Sequence, residues 1–212
     1  MSANNLLTKS KQLYDYIETR VLTLYDDLDS AHNTQHIRDV MKRSVDMGKL
    51  LNADDEILLV GAAYHDLGIL FNRSNHEKVS AKIFQQDSFM KDWFSPATIK
   101  VISESIEDHR STNRNRPRSI YGEILHDIDT FGGDLTELMV RSIGYGKKYF
   151  ASYTKIQHFE RIHDYLEKKY GDEGYATLYI DYLPHRNNFH EISGSIKSKK
   201  QMQEIFDAIF TE

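Results

Sequence analysis

An adjacent histidine and aspartate, His65-Asp66, form the pair of side chains in this sequence best suited to bind a divalent metal ion. They lie near the end of the segment Glu56 to Leu70, which is apolar almost all round and therefore predicts a buried helix. A carboxylate buried there costs several kcal/mol unless it is paired or metal-bound, and imidazole and carboxylate both ligate ions of borderline hardness. On adjacency alone, an Asp66 that pairs with an arginine or caps a turn is the commoner arrangement.

Two further segments carry ligand types of the same kind. His32 and His36 are four residues apart at the predicted start of a helix, which would place them on one face, although surface or capping histidines also fit this spacing. Asp127 and Asp129 follow an apolar stretch, so one of them could complete an oxygen-rich site, and a helix end with solvated acids is the alternative.

Histidine is about twice as frequent in the chain as ordinary composition leads us to expect. His76 precedes Glu77 at the start of one predicted helix, and His109 precedes Arg110 at the end of another. Both positions also suit histidines that act only as helix caps or dipole partners. The positions of these histidines relative to the other potential ligands are therefore more informative than the number of histidines.

The elements that must position these residues are predicted to be helices. Only three prolines occur, and apolar residues recur at steps of three and four. One amphipathic stripe runs from Leu13 to Leu28 and a second from Ile37 to Leu50. Further helices are predicted over about 75 to 90, 96 to 109, 118 to 130, 133 to 149, 153 to 170 and 198 to 211. Between them we expect a polar loop at 111–118, a turn at 171–174 and a longer flexible loop at 187–200. The predicted fold class is all-α, with residues 1–212 forming one helical bundle.

Composition excludes several classes of protein. Of 212 residues, 40% are hydrophobic and 28% charged, which is typical of a globular chain and too apolar for intrinsic disorder. A net charge of -5 makes long nucleic acids and anionic membranes unlikely partners, and the absence of cysteine excludes disulfides and thiolate ligands. The first ten residues are polar, and the longest uncharged apolar run is too short to cross a bilayer, so we expect a cytoplasmic protein.

Taken in order, the ligand-bearing segments resemble the HD-domain metal-dependent phosphohydrolase superfamily, in particular its small single-domain bacterial members. The ordered set is His36, His65-Asp66, His76-Glu77, His109 and Asp127-Ile128-Asp129. The surrounding stretches HNTQHIRDV, AAYHDLG, NHEKVSA and LHDIDTFG resemble the family as well. The resemblance covers about residues 30 to 150 and implies an HD-type helical bundle. It also implies one metal ion held by His36, His65, Asp66 and Asp129.

The same resemblance implies roles for the neighbouring residues. His32 matches a histidine four residues before the first ligand, where it would either support that ligand or lie on the substrate side, and we expect it to bind substrate. His76 and His109 match positions that bind a second metal in some branches and face the substrate phosphate in others, so with Asp66 they are the expected catalytic groups. The chain departs from the family at Thr130-Phe131-Gly132, where small members commonly carry an arginine and a leucine. The missing arginine affects the prediction of the substrate more than the prediction of the metal site.

The expected activity is hydrolysis of a phosphoester or phosphoanhydride in a small molecule, with nucleotides as the substrate class, by metal-activated water. Arg110, Arg114 and Arg116 suit phosphate oxygens because guanidinium binds them in a two-pronged manner, although a solvated basic loop is the commoner explanation. The ligand set accepts manganese, iron, cobalt, nickel or magnesium. The segment after Tyr149 is core, a lid or the surface of a possible homodimer.

Two alternatives remain open from the sequence. An HD-type di-iron oxygenase would hold two irons between the acids and the pair His76 and His109. A non-catalytic helical domain would bind a nucleotide or a partner protein, although the intact ligand set argues against this.

Overall fold

The computed structural model describes residues 3–211 of the chain, with side chains described from residue 10 onward. All regular structure in this range is helical and no strand occurs in it, which confirms the all-α prediction. The α-helices are α1 (Ala3–Tyr16), α2 (Thr34–Leu51), α3 (Asp55–Tyr64), α4 (His76–Gln86), α5 (Ser88–Trp93), α6 (Pro96–Asp108), α7 (Ile120–Phe131), α8 (Leu135–Tyr149), α9 (Lys155–Tyr170), α10 (Leu183–Lys197) and α11 (Lys199–Ile209). A π-helical turn (Ile17–Val21) and 3₁₀ turns (Leu22–Asp27, Ser30–His32, Leu67–Leu70 and Arg73–Asn75) connect the early helices.

The described residues divide into two compact units. The first comprises residues 3–28, 32–110 and 115–126, and the second comprises residues 29–31, 111–114 and 127–211. The description of the whole chain as one domain stays a prediction. None of the helices within residues 3–211 is long and apolar enough to cross a membrane.

The core of the first unit is organised around α3. Asp54 caps this helix by accepting hydrogen bonds from the amides of Glu56 and Ile57, so α3 begins where the apolar run begins. Val60 and Ala62 are fully buried, and α3 packs against α2, α4 and α6. The predicted helix through Leu70 is too long, because α3 ends at Tyr64 and the chain continues as a turn that carries His65 and Asp66.

Asp87 divides the helix that the sequence predicts over about 75 to 90. Its side chain caps α5 by accepting a hydrogen bond from the amide of Met90. The hydroxyl groups of Tyr16 and Tyr64 also donate to Asp87 Oδ2, at 2.8 and 2.6 Å. This carboxylate therefore ends α4 and begins α5, a tertiary arrangement that periodicity does not reveal.

The second unit has its own core, built by α8 to α11. Large side chains from α9 and α11 are fully buried in it, among them Phe159, Ile162 and Phe206. The predicted flexible loop at 187–200 is wrong, because most of it belongs to α10, which buries Ile192 and Ile196. Serine and glycine between the two isoleucines, and two asparagines before them, weaken the helical pattern, and packing of the isoleucines overrides local propensity.

Candidate metal centre

The start of α2 positions His36. Asn33 caps the helix by accepting a hydrogen bond from the amide of His36, at 2.9 Å. His36 is buried, and its Nε2 lies 4.0 Å from Asp66 Oδ2. His32 lies in the preceding 3₁₀ turn, so the expectation that the two histidines share one helical face is wrong. His32 nevertheless contributes to lowering the pKa of Asp66.

The turn after α3 directs His65 toward Asp66. Nδ1 of His65 lies 2.7 Å from the carbonyl oxygen of Ala62. A carbonyl oxygen only accepts hydrogen bonds, so Nδ1 carries a proton and Nε2 of the neutral ring is left with its lone pair. That Nε2 lies 3.2 Å from Asp66 Oδ2. Local backbone geometry thus orients the imidazole as a metal ligand.

Gly68 allows the helix that bears His76 to approach the His65-Asp66 turn. A Cβ at Gly68 would lie 2.1 Å from the carbonyl oxygen of His76 and 2.7 Å from the amide nitrogen of Ser80. The amide of Gly68 also donates to Ser80 Oγ at 2.8 Å. Only glycine leaves room for this backbone contact, which sets the distance between Asp66 and α4.

His76 and His109 complete the group of imidazoles around Asp66 in the first unit. Their Nδ1 atoms lie 3.1 Å from the carbonyl oxygen of Arg73 and 2.6 Å from that of Ile106, so both side chains have the orientation seen at His65. Their Nε2 atoms lie 3.4 and 3.6 Å from Asp66 Oδ1. The two Nε2 atoms are 3.1 Å apart.

This arrangement fits a divalent cation. Two Nε2 atoms that both lack a proton do not attract each other, and their 3.1 Å separation requires a cation or a proton to be favourable. Neighbouring ligands on an octahedral ion with bonds of about 2.1 Å lie about 3.0 Å apart, close to the observed spacing. Two sets of ligand atoms in the first unit lie within 4.8 Å of one another: His36, His65 and Asp66, and Asp66, His76 and His109.

The electrostatic environment keeps the carboxylate charged. Burial alone raises the pKa of Asp66, but the surrounding imidazoles, above all His65, outweigh burial and hold the pKa well below its ordinary value. Burial is also the main cause of the lowered pKa of His76, which Asp66 partly opposes. A charged Asp66 beside a neutral His76 is the protonation state that a metal ion requires.

In the second unit, α7 ends with the two acids that the sequence singled out. Asp127 is fully buried and accepts hydrogen bonds from the amides of Tyr179, at 3.2 and 3.0 Å, and of Ile180, at 2.7 Å. Its carboxylate therefore holds a loop, which leaves Asp129 as the acid suited to ligation. Asp129 belongs to this unit and is half-buried, and its role as the fourth metal ligand stays a prediction.

Sequence reasoning missed the buried Lys169 in the second unit. This residue lies in the last turn of α9, where a basic side chain is normally solvated. Burial by itself lowers the pKa of Lys169, but Tyr165, Tyr170 and Asp129 raise it above its ordinary value, so the ammonium group stays charged. No local pattern distinguishes this lysine from its solvated neighbour Lys168.

Two of the three arginines predicted to bind phosphate have carboxylate partners in the first unit. Arg110 Nη1 lies 2.9 Å from Glu77 Oε2, and Arg116 Nε lies 2.6 Å from Glu123 Oε1. Arg114 is exposed in the loop before α7 and belongs to the second unit. Substrate binding by His32, Arg110, Arg114 and Arg116 stays a prediction.

The sequence profile of the HD domain family matches residues 33–133 of the chain, so this segment is an HD domain, which confirms the predicted HD-domain resemblance. The matched span begins at the residue that caps α2 and ends two residues after α7. It includes every metal ligand and catalytic residue predicted from the sequence. No curated protein and no solved structure matches the chain significantly.

Proposed function

Because residues 33–133 form an HD domain, we propose that the protein is a metal-dependent phosphohydrolase that cleaves a phosphoester or phosphoanhydride in a small molecule, with nucleotides as the substrate class. The observation that carries the proposal is the convergence of imidazole Nε2 atoms on the buried carboxylate of Asp66. A divalent ion bound there supplies a nucleophilic water near neutral pH and neutralises charge at phosphorus. Manganese, iron, cobalt, nickel and magnesium all suit the ligand types.

The two oxygens of Asp66 serve different histidines. Oδ2 faces His36 and His65, whereas Oδ1 faces His76 and His109. We assign His36 and His65 to metal binding together with Asp66, and Asp129 as the fourth ligand. His76 and His109 then lie on the other side of the carboxylate, where their Nε2 atoms and Oδ1 would hold a second ion or, without one, the proton that the leaving group requires.

The partners that we propose follow from charge. With a net charge of -5, the chain has no general attraction for long polynucleotides, so substrate recognition depends on local groups such as His32 and the arginines at 114 and 116. We propose a small phosphorylated substrate, a cytoplasmic location, no membrane partner and a homodimer as one possible assembly. Light scattering of the purified protein measures the oligomeric state directly.

The experiment that tests the function combines metal content with turnover. We would purify the protein without an affinity tag, determine bound metal by elemental analysis and screen phosphate release from nucleotides under each divalent ion. Asp66→Asn should lose both metal and activity, whereas Asp46→Asn, at a side chain that is 54% exposed on α2, should keep both. Failure of the wild-type protein to bind any divalent ion would refute the proposal and favour the non-catalytic binding domain.

One observation favours the di-iron oxygenase as a second candidate. The set Asp66, His76 and His109 shares its carboxylate with the set His36, His65 and Asp66, and a shared carboxylate suits two adjacent ions. Two irons per chain with oxygen consumption would establish this activity. About one metal per chain with phosphate release would establish the hydrolase.

A further inference from the structure

A partly buried ion pair links the two residues that follow the histidines on the Oδ1 side of Asp66. Glu77 comes directly after His76 at the start of α4, and Arg110 comes directly after His109 beyond the end of α6. Arg110 Nη1 lies 2.9 Å from Glu77 Oε2 and also donates to the carbonyl oxygen of Ser74. The guanidinium group therefore binds the chain on both sides of His76.

Burial makes this pair more than a surface contact. The side chain of Glu77 is only 6% exposed, and that of Arg110 is 27% exposed. A buried carboxylate that loses its partner is strongly destabilising, so Glu77 keeps Arg110 in place. The geometry also argues against the predicted phosphate-binding role of Arg110, because the Glu77 carboxylate would repel an arriving phosphate.

The contact between the two imidazoles does not hold itself together in the metal-free protein while both rings are neutral. Nδ1 of His76 and Nδ1 of His109 both donate to backbone carbonyls, so their Nε2 atoms face each other as acceptors 3.1 Å apart. Two acceptors do not attract. The approach of the start of α4 to the end of α6 at this point must be stabilised by neighbouring groups.

We propose that Glu77 and Arg110 form a positioning clamp that sets the spacing of His76 and His109 for metal and substrate. The inference rests on the proposed metal centre, and it replaces substrate binding by Arg110 with a positioning role. Each member of the clamp is covalently adjacent to one of the histidines, so a change in the ion pair moves both Nε2 atoms. Outer groups that orient metal ligands typically change metal affinity by about 10-fold to 100-fold when they are removed.

The test uses Arg110→Met and Arg110→Lys, with Arg38→Met as the matched control. Arg38 forms an exposed pair with Glu18 at 2.7 Å, so the control removes the same charge and the same kind of ion pair elsewhere in the first unit. Two properties would be measured: the affinity for Co²⁺ alone, from its visible absorption, and the imidazole ¹⁵N shifts of His76 and His109 in the metal-free protein. Thermal unfolding would verify that each variant is folded.

We expect Arg110→Met to weaken Co²⁺ binding by about 10-fold to 100-fold and to shift both histidine signals. Arg110→Lys should restore part of the affinity, because an ammonium group can still pair with Glu77. Arg38→Met should match the wild-type protein in both properties. If Arg110→Met fails to fold, Glu77→Gln weakens the same pair while keeping its shape and gives the same readouts.

Wild-type Co²⁺ affinity and unchanged histidine signals in a folded Arg110→Met or Glu77→Gln variant would overturn the clamp. An equal loss in Arg38→Met would also overturn it, since the effect would then be general. If the wild-type protein binds no Co²⁺, the proposed function fails, and the ¹⁵N shifts of the metal-free protein still decide whether the clamp positions the histidines.

Discussion

Replacing Gly68 by alanine should damage the metal centre from a position that contacts no metal. The added Cβ would lie 2.1 Å from the carbonyl oxygen of His76, about 1.3 Å inside the 3.4 Å at which ordinary contact begins. It would also lie 2.7 Å from the amide nitrogen of Ser80, so both obstacles are backbone atoms of α4. Relief therefore requires the start of α4 to move away from the turn that bears Asp66.

The size of this movement determines the expected effects. Inserting a carbon into a packed site costs about 1–3 kcal/mol, which corresponds to a fall of roughly 2–12 °C in melting temperature for a chain of this length. A misplacement near 1 Å reduces catalysis by about 100-fold, so the reaction should suffer more than stability does. Weaker Co²⁺ binding should accompany both losses, since His76 begins α4 and moves with it.

The assay compares Gly68→Ala with Gly194→Ala in α10. A Cβ at Gly194 would meet no atom within 4 Å, and alanine in a helix interior is favoured over glycine by roughly 0.5–1 kcal/mol. Melting temperature should therefore fall in the first variant and hold or rise in the second. A Gly68→Ala protein with wild-type melting temperature and Co²⁺ affinity would refute the packing argument.

Three further outcomes are expected. Asp66→Asn should abolish metal retention in elemental analysis, because a neutral amide replaces the charged oxygen shared by two sets of ligands, and retained metal would contradict the assigned centre. Asp127→Asn should lower the free energy of unfolding by about 1–3 kcal/mol, since it weakens charge-assisted bonds to two amides. Asp129→Asn, in contrast, should mainly lower the affinity for metal. If denaturation and metal titration gave the reverse pattern, the roles of the two acids would have to be exchanged. Burial lowers the pKa of His76 below its ordinary 6.5. The contribution of His76 to the stability of the metal-free protein is therefore present above pH 6.5 and is lost as pH falls through the folded pKa. His76→Gln should reduce the loss of stability at acid pH, measured by urea unfolding at a series of pH values. An unchanged pH dependence in this variant would argue against burial of His76 as the cause.

Much of the fold could be predicted from local sequence patterns. The apolar run before His65 predicts a central buried helix, and α3 is that helix, because such a run has no polar face to expose. The predicted loop over 187–200 is wrong, and α10 forms there because Ile192 and Ile196 bury against the second core. Local propensity misses this helix, since its stability comes from packing.

The sequence by itself determined the chemistry that is available: imidazole and carboxylate groups in an order that identifies an HD domain, each near a helix end where backbone carbonyls can orient a ring. Ligand type and helical spacing are local properties, so the amino-acid sequence alone is enough to predict them. Only the tertiary structure decided how the remaining charged groups are used. It assigns Asp127 to a loop, buries Lys169 and pairs Glu77 with Arg110, 33 residues away in the chain. A buried charged group needs a partner, because an unpaired charge away from water is costly. Packing between distant segments of the chain decides which partner that is.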